Sequence, residues 1–179
     1  MTRLGAAACA AIIAGSGCGR STVSIDRSFL GRFPENPTEA DLSGRYDALR
    51  YLVATGDRDA VRAVLRYVTS DARVNELAAA GCPCHNDEDL VSAAYDESLD
   101  GLFWTTLPAL PPVRQARAIV HVDFLSQRED SGGMSLHPMV DYEGDRDAYL
   151  AAHPEVAREL AGVLRALTAQ HRAVQPAAD

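Results

Sequence analysis

Lysine is missing from this chain. All 17 basic residues are arginine, and they stand against 25 aspartates and glutamates for a formal net charge of −8. With alanine so frequent, the bias fits the codon usage of a GC-rich genome better than a functional selection. The acidic balance disfavours direct nucleic-acid binding and sets the chain against anionic lipid headgroups. Long hydrophobic runs are missing too, since no stretch reaches the about 20 apolar residues that a bilayer core requires. There is no nucleophile elbow, P-loop, dinucleotide fingerprint or H-E-x-x-H zinc motif, so the reading leans away from an enzyme. Cysteine is scarce, at four, which leaves few pairings to consider.

What is present begins at the N-terminus. Arg3 precedes the apolar, small-residue run Leu4 to Ala14, and Gly15-Ser16-Gly17-Cys18 follows. A charged start, an apolar stretch of roughly 7–15 residues and small residues at the end are the parts of a secretory signal. The last four residues resemble the lipobox of bacterial lipoproteins, although Gly15 stands where that motif usually carries leucine. The resemblance implies that residues 1–17 are removed as a signal peptide and that Cys18 becomes a diacylglycerol-bearing N-terminus. Its implied address is the bacterial cell envelope, outside the cytoplasm and held to a membrane through the lipid. Two alternatives stand beside it: plain secretion with cleavage between Ala14 and Gly19, or a buried N-terminal helix. The second must explain why residues 4–14 have no polar face.

Residues 18–37 read as a tether, small and polar after Cys18 and kept extended by Pro34 and Pro37, with Phe29, Leu30 and Phe33 available to dock on the body. Without Arg3 the formal charge becomes −9 (16 arginines against 25 acids). An export signal also argues against an acidic mimic of DNA. If Cys9 leaves with the signal and Cys18 is acylated, only Cys82 and Cys84 remain in the body. An oxidising compartment then permits a disulfide between them.

Cys82-Pro83-Cys84-His85 is the sharpest cluster in the body. Two thiolates beside an imidazole are soft ligands suited to zinc or copper. The C-x-C spacing is tighter than the usual zinc pattern, and no second cysteine pair completes a tetrahedron. Thiol redox chemistry normally uses C-x-x-C in a βαβ setting, which this chain does not offer. A local Cys82–Cys84 disulfide, or no cofactor at all, stands against a metal site of Cys82, Cys84 and His85.

A second set comprises His121, Asp123, His137, Asp141, Glu143 and Asp145. On a strand His121 and Asp123 share a face; on a helix they diverge by about 200°. Asp141-Tyr142-Glu143-Gly144-Asp145 resembles a calcium loop, with its glycine too early for the EF-hand pattern. Solvated loop polarity is the plainer reading, and the Gly-rich stretch 129–144, with Met134 and Met139, is the expected binding surface. Tyr95, Phe103 and Trp104 read as an aromatic box or, at helical spacing with Leu99 and Leu102, as core.

The body itself reads as mainly α, a compact domain of about five to seven short helices over residues 38–174, with 175–179 as a tail. Thr38 and Asp41 signal a cap before the apolar face Leu42, Tyr46, Leu49 and Val53, and Gly56 ends that helix. Asp57 then caps a helix with the stripe Val61, Val64, Leu65 and Val68. Ser70 caps one with Val74, Leu77 and Ala78 inward. Asn86 or Asp87 opens a helix running through Leu90, Val91, Ala94, Leu99, Leu102 and Phe103. Pro112 starts a helix to about Gln127, although Ala118 to Phe124 also alternates like a strand, which leaves a small β-hairpin around 117–142 open. Pro154 starts the last helix, with Val156, Leu160, Val163, Leu164 and Leu167 as its stripe. Residues 48–65 resemble one HEAT-type helical repeat, which implies protein binding, but no fixed period recurs. The expectation is a lipid-anchored helical module that binds an envelope protein partner, with an exported metal or redox protein as the alternative.

Overall fold

Asp57 shows most directly how the sequence writes this fold. Its carboxylate Oδ1 accepts hydrogen bonds from the backbone N–H groups of Asp59 (3.0 Å) and Ala60 (3.2 Å), two donors that a helix start leaves without partners. A cap of this kind contributes about 1 kcal/mol. It opens a helix whose apolar stripe, Val61, Val64, Leu65 and Val68, is wholly buried together with Ala60 and Ala63. Burying each large side chain in that stripe contributes roughly 1.5–3 kcal/mol, so this helix becomes the centre of the molecule.

The structure, a computed structural model, describes residues 25–80, 85–95, 101–129 and 142–174. Nine α-helices run through these residues, and no strand is found among them. In chain order they are α1 (Glu39–Leu42), α2 (Tyr46–Ala54), α3 (Arg58–Val68), α4 (Asp71–Ala80), α5 (His85–Ala94), α6 (Leu102–Thr106), α7 (Pro112–Glu129), α8 (Tyr142–Ala152) and α9 (Pro154–Val174). Single 3-10 turns occupy Leu30–Arg32 and Leu107–Ala109. The central α3 touches α2, α4, α5, α6 and α7, while α7 and α9 share the most extensive helix pairing. No helix of the described residues is long and apolar enough to cross a membrane.

The helices outnumber the expectation for local reasons. Leu42 and Tyr46 sit one turn apart on a single apolar face, yet Gly44 between them adopts φ +73° and splits that face into α1 and α2. Only glycine enters this left-handed region without strain. Gly101, at φ +69°, does the same ahead of α6, so the run expected from Asn86 to Phe103 is not continuous. The strand alternative for Ala118 to Phe124 is corrected: these residues lie in the middle of α7. Pro112 opens that helix, and Ala116, Ala118, Ile119, Val120 and Val122 are all buried in it. Tertiary burial on more than one side outweighs the weak β preference of the branched residues.

Two finer expectations also change. Ser70 does not cap α4 with its side chain: its hydroxyl is buried without a partner, and only its carbonyl joins the helix, accepting from the Val74 N–H at 3.0 Å. On α9 the stripe holds at Val156, Val163 and Leu167, whereas Leu164 is 44% exposed. Ahead of α1, residues 25–37 lie against the body, burying Leu30 and Phe33 in the core with Ile25 and Phe29 packed beside them. Arg114 on α7 secures this segment, donating to the Glu35 carbonyl at 2.9 Å and to Asn36 Oδ1.

Candidate functional site

Of the His, Asp and Glu residues singled out in the sequence, those described do not converge on one site. Cys18, Cys82, Cys84, His137 and Asp141 lie outside the described residues, as does most of the loop expected to form a binding surface. His85 is the first residue of α5. His121 and Asp123 ride on α7 and diverge as a helix requires. His121 is fully buried, while Asp123 accepts from Tyr142 Oη at 2.7 Å and pairs with Arg146 at 3.1 Å. Tyr142, Glu143 and Asp145 form the first turn of α8, so the calcium-loop likeness has no loop beneath it. Among the described residues no group of three His, Cys, Asp or Glu side chains is placed to hold a metal ion.

The aromatic residues form a packed wall between helices. Tyr95 meets Phe103, Trp104 and Tyr142 edge-on at 5.4–6.0 Å, and Trp104 lies nearly parallel to Tyr142 at 6.1 Å. Tyr149 extends the wall, donating to Gln115 Oε1 at 2.7 Å, and Gln115 in turn donates to the Leu110 carbonyl at 2.6 Å. Burial, then the Asp123 charge, pushes the Tyr142 phenol far above its ordinary range. Burial and Glu155 push Tyr149 up to about 12. These hydroxyls are locked hydrogen-bond donors, and the rings fill the space a ligand would need.

A second polar cluster is sealed inside. Arg73 on α4 is 4% exposed and Asp87 on α5 is 2% exposed. Asp87 Oδ2 accepts from Arg73 Nε at 2.9 Å and from Nη2 at 2.8 Å. The guanidinium also reaches Glu76 and sits 5.3 Å from the Tyr67 ring centroid. His121 approaches from α7. Neither ring nitrogen makes a hydrogen bond of normal geometry. Burial draws its pKa down to about 4; the nearby Val68 carbonyl opposes that, and the Arg73 charge adds to it. A closed ion pair joining two helices is a structural lock, and no substrate reaches it.

One arrangement is open to solvent and short of partners. Arg62, Arg66 and Asp59 lie on one face of α3, opposite the buried stripe, and the segment before α1 lays Arg27, Leu30, Gly31 and Phe33 across from them. Together they line a recess of about 410 Å³, within the size range of small-ligand sites, roughly 300–1,000 Å³. Arg27 pairs with Asp57 at 2.8 Å and lies 3.7 Å from Asp59; Arg62 pairs with Asp59 at 2.9 Å. Arg66 is different. Its side chain is 20% exposed, its Nε is buried with no partner, and its carboxylate contact, Glu35 Oε2, is 3.6 Å away. That exceeds a hydrogen bond, so the guanidinium has one long ion pair and one buried N–H without a partner.

The sequence carried a signal for this site. Arg58, Arg62 and Arg66 recur every four residues, a like-charge ladder that costs an isolated helix roughly 0.2–0.5 kcal/mol per pair. Beside a fully apolar stripe it reads as an ordinary solvated face, and only the docking of residues 27–33 turns that face into a recess. No family model, curated protein or solved structure matches the chain.

Proposed function

We propose that this chain is an exported protein of a bacterial cell envelope, anchored through lipid on Cys18, whose helical body is a binding module. The observation that supports binding is the recess between α3 and residues 27–33, where the Arg66 guanidinium lacks a hydrogen-bonding partner among the described residues. Binding sites are recognised by convergent polar groups left for a ligand in a concave setting. The support for the anchor is the charged start, apolar run and small residues before Cys18. Arg27 lies nine positions after Cys18, a covalent reach of at most about 32 Å. An anchor there keeps the recess close to the membrane surface.

The experiment is expression of the full chain in a bacterium fed an alkynyl fatty acid, comparing it with Cys18→Ser. The unaltered chain should take up label and sediment with membranes, and the variant should do neither. Equal labelling and sedimentation of the two would sink the anchor. Cross-linking in intact envelopes tests the binding half: a discrete adduct should form with the full chain and be lost in Arg62→Gln, an exposed position whose loss leaves the core untouched. An adduct indifferent to that substitution would place binding elsewhere.

A further inference from the structure

We infer that the recess lined by Arg27, Arg62 and Arg66 is a site for a phosphate ester. The inference rests on the binding-module reading of the body and is independent of the anchor at Cys18. Three arginines line one recess in a protein whose formal charge is −8. Of the recess lining, only Asp59 carries a negative charge, and it is engaged by Arg62 at 2.9 Å. Arg27 is held by Asp57, whose other oxygen is engaged by the cap of α3. These carboxylates fix the two outer arginines and leave the third unsatisfied.

Arg66 therefore supplies what a tetrahedral oxyanion uses: a planar fork of N–H donors, partly desolvated, with its Nε unpartnered and a Glu35 contact too long to compete. The neighbouring forks of Arg62 and Arg27 suit a group with several oxygens better than a lone carboxylate. The remaining walls are Leu30, Phe33 and Gly31, and a side chain at Gly31 would meet nothing within 4 Å. A largely polar lining and a volume of about 410 Å³ offer more than inorganic phosphate needs. They fit a phosphoryl group carrying an organic stub, whether that stub belongs to a soluble phosphate ester or to a lipid headgroup.

The test uses the full chain in an uncharged detergent, titrated calorimetrically with glycerol 3-phosphate. Saturable binding is expected, with glycerol alone giving none. Arg66→Gln and Arg62→Gln should each weaken it roughly tenfold or more, as loss of a charge-assisted fork does. Arg66→Lys should not restore it, because a point charge lacks the fork. Gly31→Met should weaken binding by filling the recess without altering charge. Flotation of the Cys18→Ser chain with phosphatidylglycerol vesicles separates the sources: flotation lost in Arg62→Gln assigns the ester to lipid, whereas its absence beside solution binding assigns it to a soluble ester. Either result supports the site. No saturable binding to either probe, or binding that survives both arginine-to-glutamine variants, overturns it. Failure of acylation at Cys18 would leave the titration untouched, so the two readings fail separately.

Discussion

Two of the arginines withdrawn from water among the described residues, Arg73 and Arg66, are treated in opposite ways. Arg73 is the more deeply buried and is answered: Asp87 takes two of its donors on one oxygen, and Tyr67 offers its ring. Arg66 is less deeply buried and is left short, with a carboxylate contact of 3.6 Å and an unpartnered Nε. A buried charge without partners is unfavourable, so a fold keeps one only where something compensates. At Arg73 the compensation is internal and joins α4 to α5. At Arg66 the described residues supply only the long Glu35 contact, which points outward to a ligand. The same residue type is a lock in one place and a receptor in the other.

The sharpest way to break that comparison is to remove the internal answer. Asp87→Ala takes from the buried Arg73 a carboxylate that accepts two of its donors, and should destabilise the fold by about 3–5 kcal/mol, the range found when one member of a buried pair is deleted. Urea denaturation followed by circular dichroism measures it. A loss below about 1 kcal/mol, the scale of an exposed pair, would mean that Arg73 finds other partners and that the pair does not lock the helices.

His121 tests whether the sealed region stays closed to protons. Its imidazole titrates near 6.5 when unfolded and about 4 when folded, because burial disfavours the cation. The native state then binds its proton only at lower pH than the unfolded chain does. Its contribution to stability is intact above about pH 6.5 and is lost progressively as pH falls towards 4. Between pH 7 and pH 5 the loss from this one group should be about 2 kcal/mol. His121→Leu removes the group, so its stability should fall less over the same interval by that amount. Identical pH slopes for the two chains would show that the imidazole takes up its proton in the folded state and that the region around Arg73 is not closed.

The two regions were unequally legible in the sequence, and the reasons are physical. Caps and stripes are local, so Asp57, Gly56 and the Val61–Val68 stripe declare α3 without help from the rest of the chain. The break at Gly44 is local too but silent, because Leu42 and Tyr46 keep the spacing of one continuous helix across it. The start of α8 resembles loop in the sequence, because Gly144 lies among acidic residues. Glu143 and Asp145 in fact sit in a first turn where the helix dipole favours them, with Tyr142 and Tyr149 buried two turns apart. The pairing of Arg73 with Asp87 spans 14 positions and two helices, so no periodicity reports it. The recess needs the further step of residues 27–33 folding over α3. Its arginine ladder was visible, but its concavity was not. The candidate residues that stood out by chemical type, His121 and Asp123, were separated by the helix that carries them.

The smallest expected effect is the most discriminating. Arg66→Met keeps the length and the apolar stem of the side chain and deletes only the guanidinium. If that group were a second lock, its removal would resemble Asp87→Ala. If it is held open for a ligand, the apo protein loses only a long contact to an exposed Glu35 and sheds an unsatisfied buried N–H. Stability without ligand should then stay within about 1 kcal/mol of the unaltered chain or rise slightly, as when buried charge gives way to apolar volume. The same denaturation measurement reads it. A loss approaching that of Asp87→Ala would make Arg66 structural and erase the contrast between the two arginines. A neutral result beside a large loss at Asp87 would show that one residue type carries two separate duties on adjoining helices, α3 and α4.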